Sequence, residues 1–219
     1  MAVNHHVSLS TLDVVRDAPV IPVIVLHDAG HAVPLAQALV AGGIRMLEIT
    51  LRTPQALDAM RAIAQEVPQA VVGAGTVRGG ADAEAALRAG ARFVVSPGFT
   101  PTLARSCREL DLPLLPGVAT AGEIMAAQDE GLGVLKFFPA MQAGGAALLK
   151  AWQGPFGDVL FCPTGGVQAD NAQALLELGN VACVGGSWLA PARALAAGDW
   201  QAITNLARQA KALRRPHFE

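Results

Sequence analysis

The sequence predicts an α/β fold: a (β/α)8 TIM barrel, one domain over residues 1–219, with a short extra helix at its N-terminus. Three observations predict it. Eight short β-rich runs alternate with helical stretches, several stretches end at a glycine, and the units recur at roughly 20 to 30 residues without a break in composition. The runs are 20–26, 46–51, 70–74, 93–96, 114–117, 134–138, 159–163 and 181–185. Between them, stretches such as 54–66 and 81–89 place apolar residues three and four apart among alanines, the spacing of one helix face. Gly43, Gly90, Gly131 and Gly179 stand where a helix must stop and the chain turn into the next strand. Residues 10–16 supply the extra helix, expected to cover the bottom of the barrel. An open dinucleotide-binding sheet is the competing architecture. Its fingerprint fails because Gly73-Ala74-Gly75-Thr76-Val77-Arg78 has Arg where the third glycine belongs.

Composition narrows the class of partner. The 219 residues are 52% hydrophobic and only 16% charged, against roughly 25% charged in ordinary domains. Such a chain is expected to hide apolar surface in a subunit contact, as a homo-oligomer. A net charge of −2 and no dense Lys/Arg stripe argue against nucleic acid or a membrane surface as partner. Residues 1–16 lack the apolar core of a signal peptide, so the expectation is a cytoplasmic protein acting on a small molecule. Cys107, Cys162 and Cys183 lack any C-x-x-C spacing and read as small core residues. His27 and His31 are four apart, but no third ligand follows, so no metal site is assigned. His5, His6 and His217 sit near the chain ends.

Lys136 is the most informative residue. It stands inside Val134-Leu135-Lys136-Phe137-Phe138-Pro139, in a chain whose other lysines are Lys150 and Lys211. An ammonium surrounded by Val, Leu and Phe loses hydration, which favours the neutral amine that can attack a carbonyl. Parity supplies its company. In Met46-Leu47-Glu48-Ile49-Thr50-Leu51-Arg52 side chains alternate, so if Leu47, Ile49 and Leu51 pack on helices, then Glu48, Thr50 and Arg52 face inward. The same count points Val134, Lys136 and Phe138 inward. An amine, an acid/base and a guanidinium are what a 2-oxo acid needs, because the guanidinium can grip the carboxylate and set the keto carbon against the amine. A buried Glu48–Arg52 ion pair with no chemistry is the bland alternative, and such pairs add little stability. Pro163-Thr164-Gly165-Gly166-Val167 and Val184-Gly185-Gly186-Ser187 stand after the seventh and eighth strands, at the loops where barrels often cradle a phosphate.

These segments, with Gly73-Ala74-Gly75-Thr76-Val77, Ser96-Pro97-Gly98 and Lys136-Phe137-Phe138-Pro139-Ala140, resemble the 2-keto-3-deoxy-6-phosphogluconate (KDPG) aldolases from about Pro19 to Leu213. The resemblance implies a metal-independent class I aldolase without cofactor, a homotrimer and a place in the Entner-Doudoroff pathway. It implies that Lys136 forms a Schiff base and that Glu48 is the general acid/base. Arg52 and Thr76 would hold the pyruvyl carboxylate, and Pro97, Phe138 and Thr164 would line the pocket. Gly165, Gly166, Gly185, Gly186 and Ser187 would surround the phosphate. The chain departs from the family at Met141-Gln142-Ala143, where relatives often have an acidic residue followed by Ala-Asn, and in its first loop, His27-Asp28-Ala29-Gly30. Three alternatives stay open on the sequence. They are an aldolase for 4-hydroxy-2-oxoglutarate or the phosphogalactonate epimer, a phosphate-binding barrel isomerase or decarboxylase, and a sugar-phosphate sensor without imine chemistry.

Overall fold

A computed structural model describes residues 9–218. Strand and helix alternate from the start: α1 (Thr11–Arg16), β1 (Val20–Ile24), α2 (Ala32–Ala41), β2 (Met46–Thr50), α3 (Ala56–Glu66), β3 (Val71–Gly75), α4 (Gly80–Arg88), β4 (Phe93–Val95), α5 (Pro101–Glu109) and β5 (Leu114–Leu115). The second half runs β6 (Gly117–Val118), α6 (Ala121–Asp129), β7 (Val134–Phe137), α7 (Gly145–Trp152), β8 (Leu160–Pro163), α8 (Ala172–Leu176), β9 (Val184–Gly186), α9 (Ala192–Ala197) and α10 (Trp200–Lys211). Every strand pairing among the described residues is parallel. One sheet has the order β5-β4-β3-β2-β1-β9 and the other β6-β7-β8. Isolated parallel bridges, Phe161 to Val181 and Thr164 to Gly185, join β8 to the segment of β9.

Two predicted strands need correction. The run 114–117 is two strands in two sheets, because Pro116 lacks the N–H that would continue a ladder; its carbonyl instead accepts the N–H of Lys136 at 2.8 Å. The run 181–185 becomes β9 only at Val184, after a single bridge at Val181. Gly185 and Gly186 are therefore buried strand residues paired with Ile21 and Pro22, not a loop. Gly43, Gly90 and Gly131 do take positive φ, at 89°, 90° and 79°. Gly179 does not follow them: α8 has already ended at Leu176.

The predicted parity holds. Leu47, Ile49, Leu135 and Phe137 belong to the large apolar cluster shared with the helices. Ile21, Met46, Phe93, Val95, Leu115 and Cys162 form a second cluster on the opposite strand face. That second cluster is closed below by Val14 and Val15 of α1. Ser10 caps α1 in a reciprocal box: its Oγ accepts the N–H of Asp13 at 3.1 Å, and its own N–H donates to the Asp13 carboxylate at 2.9 Å. Thr11 Oγ1 donates to the Leu114 carbonyl at 3.2 Å and ties the helix to β5. The expected floor is thus present. His5 and His6 lie outside the described residues. Among the described residues, no helix is long and apolar enough to cross a membrane.

Candidate active site

Above the apolar floor the inner strand face turns polar. Lys136 of β7 and Glu48 of β2 are 3% and 2% exposed, and the ammonium donates to Glu48 Oε1 at 3.4 Å. Two ionisable groups withheld from water at such cost need each other or a reaction. Nζ also lies 5.2 Å from the centre of the Phe138 ring, within range of a cation–π contact. Thr50, the next inward residue on β2, is fully buried and donates to the Ile24 carbonyl at 2.8 Å.

Lys136 opens into a cleft of about 140 Å³ that Arg52, Phe138, Thr164, Gly165, Gly166, Gly185, Gly186 and Ser187 also line. Nine of the predicted site residues thus converge at the same end of the strands. Arg52 lies just beyond β2, and its Nε donates to Thr76 Oγ1 at 3.1 Å. Thr76 sits just past β3 with φ 61°, a left-handed conformation that costs a β-branched residue energy. Gly165 and Gly166 follow β8 at φ 99° and 74°, a turn that other residues would resist. The carbonyls of Thr164, Gly165 and Gly166 accept from Ala140 N, Met141 N and Asn171 Nδ2, which fixes the turn against the loop after β7. Pro97 is exposed beyond β4 and is not brought to the cleft wall.

Val23, Val167 and Gln168 also line the cleft and escaped the sequence reading. Val23 was within reach of it. Its partner in the ladder is Glu48, and counting inward from Ile21 finds it. Gln168 follows the Gly-Gly turn and carries no pattern that would mark it. Larger hollows exist elsewhere, such as a groove of about 320 Å³ beside α5, but its Arg108 is engaged with Glu130 at 3.2 Å and no lysine lines it. His27, Asp28 and His31 edge an apolar hollow of about 350 Å³ that shares Val23 and Ser187 with the cleft.

Comparison with known proteins decides the family. Residues 12–206 match the KDPG and KHG aldolases. The chain belongs to that family. It is similar to the KHG/KDPG aldolase of Escherichia coli K12, with 52% identity over 92% of this chain and 94% of that one. It is similar to the 2-dehydro-3-deoxy-phosphogluconate aldolase of Dickeya dadantii, with 51% identity over 93% and 95%. Among solved structures, KDPG aldolase from Legionella pneumophila, with pyruvate captured as a covalent carbinolamine intermediate, superposes with a TM-score of 0.90. That pair is 45% identical over 92% of this chain and 98% of the other. In this aldolase-family chain the amine, the carboxylate and the guanidinium stand at one strand end, Lys136 and Glu48 by the inward parity of β7 and β2 and Arg52 in the turn that follows β2.

Proposed function

We propose that the protein is a class I aldolase that cleaves 2-dehydro-3-deoxy-6-phosphogluconate to pyruvate and glyceraldehyde 3-phosphate. The observation that carries this reading is the buried Lys136–Glu48 contact of 3.4 Å facing a cleft with a guanidinium at its wall. Arg52 holds the substrate carboxylate, with Thr76 fixing the arginine. Lys136 Nζ attacks the C2 keto carbon, and loss of water leaves an iminium. Glu48, directly or through a water, removes the C4 hydroxyl proton. The C3–C4 bond then breaks, its electron pair flows into the iminium, and the aldehyde departs. Glu48 returns the proton to C3 of the enamine, and hydrolysis frees pyruvate and the amine. Thr164 lies beside the substrate hydroxyls, and the Gly165-Gly166 turn with Gly185, Gly186 and Ser187 takes the phosphate.

A second substrate, 4-hydroxy-2-oxoglutarate, is favoured by the name that the Escherichia coli relative carries. It presents the same pyruvyl half to Lys136 and Arg52, and relative turnover on the two substrates ranks them. We further propose that the two sheets and their linking bridges form one closed (β/α)8 barrel, a single domain. In solution three copies of the 22.5 kDa chain would form a cytoplasmic homotrimer, which light scattering measures directly.

Borohydride reduction with pyruvate, followed by peptide mapping, tests the central step. One adduct at Lys136 is expected. Lys136→Ala should give neither adduct nor turnover, whereas Glu48→Gln should keep the adduct and lose about 10²–10⁴-fold in turnover, the usual share of a general acid/base. An active Lys136→Ala protein, or a wild type left unlabelled at residue 136, would sink the scheme and favour an isomerase, a decarboxylase or a sensor.

A further inference from the structure

β3 carries a glycine where any side chain would strike the acid. A Cβ placed on Gly75 would lie 2.2 Å from Glu48 Oε1, 2.6 Å from its Cγ and 2.8 Å from its Cδ. Carbon atoms in comfortable contact stay about 3.5–4.0 Å apart. The backbone there cannot retreat, because Gly75 is in register with Thr50 and its carbonyl accepts the N–H of Leu51 at 2.8 Å. Other quarters are occupied too. Val23 is the ladder partner of Glu48 on β1, and the Phe93 ring fills the place of a side chain at Gly73, the partner on β3. Space over Gly75 therefore admits the carboxylate, and the oxygen it admits, Oε1, is the one that Lys136 contacts at 3.4 Å.

We propose that Gly75 is a positioning residue for the reaction: its missing side chain lets Glu48 lean across β3 to Lys136 and the C3 and C4 atoms of the substrate. The inference rests on the reading of Glu48 as the proton-transfer group. The partial reaction that isolates this group is exchange of the pyruvate methyl protons in D2O, which needs both the imine and a base.

Gly75→Ala should slow that exchange by about 10²-fold or more while borohydride trapping of pyruvate at Lys136 stays close to wild type. In the Glu48→Gln background, where no base remains to misplace, the same Gly75→Ala change should add little, the non-additivity expected of two residues acting as a unit. Equal losses of exchange in both backgrounds, or wild-type exchange by Gly75→Ala, would overturn the proposal. Stability offers an independent check. Gly75→Ala should lower the melting temperature of the wild type but not of Glu48→Ala, whose truncated side chain vacates the space. Should the single variant fail to fold, a folded Gly75→Ala/Glu48→Ala protein supports the proposal and an unfolded one overturns it. Wild-type exchange by Glu48→Gln would instead remove the reading of Glu48 itself, and the inference with it.

Discussion

Arg52 shows how one side chain joins binding to order. Its Nε is spent on Thr76, so the guanidinium plane is set before a substrate arrives, and its terminal nitrogens are the donors we assign to the carboxylate. Arg52→Ala should therefore cost about 1.5–3 kcal/mol of binding to a charged group, a fall of roughly 10- to 150-fold in kcat/KM. Arg52→Lys should recover only part, because an ammonium cannot make the paired contact. An unchanged pyruvate requirement for borohydride trapping by Arg52→Ala would remove the residue from substrate binding. The inward placement of Lys136 and Glu48 was legible in the sequence, because strand parity needs only a count of two, whereas Arg52 stands exposed in the turn past β2, where that count no longer applies. The left-handed backbone of Thr76 was not legible, since nothing in a threonine announces a positive φ. Nor was the meaning of Gly73 and Gly75: read along the chain they resemble a failed phosphate loop, and only the neighbouring strands reveal that Phe93 and Glu48 occupy their places.

The strand that carries the amine is held from behind by α7. Trp152 stands edge-on to Phe137 of β7 with ring centres 5.1 Å apart, and stacks on Phe161 of β8 at 5.3 Å. Such aromatic pairs add about 0.5–1.5 kcal/mol beyond the area they bury. Trp152→Ala should cost about 3–5 kcal/mol of stability, read in a denaturant titration, and a loss below about 1 kcal/mol would show that β7 has other support. Elements were legible wherever propensity and pattern agreed. They failed at Pro116 and around β9, where a missing N–H and a one-residue bridge redraw boundaries that hydrophobicity alone leaves continuous.

Across the molecule, both strand faces are buried, and the cysteines are part of that burial. All three thiols are free and buried. Desolvation pushes Cys107 up to about 11 and Cys183 well above the ordinary thiol range, with the neighbouring Cys162 raising it further. The thiolate is the reactive form and all three sulfurs are buried, so native protein at pH 8 should be inert to a disulfide reagent, and three equivalents should react after denaturation. Rapid native labelling of any one would contradict this packing. Their role as small core residues was readable from spacing alone, whereas the closeness of the Cys162 and Cys183 thiols depends on segments that meet only in the folded chain.

Val14 and Val15 of α1 stopper one end of the strand assembly, which leaves the cleft beside Lys136 at the other end. On the proposed reading, the incoming sugar acid and the outgoing aldehyde share the cleft edged by Ser187 and Gly166. On that reading release is sequential: the aldehyde leaves when the C3–C4 bond breaks, whereas pyruvate stays joined to Lys136 until the imine is hydrolysed.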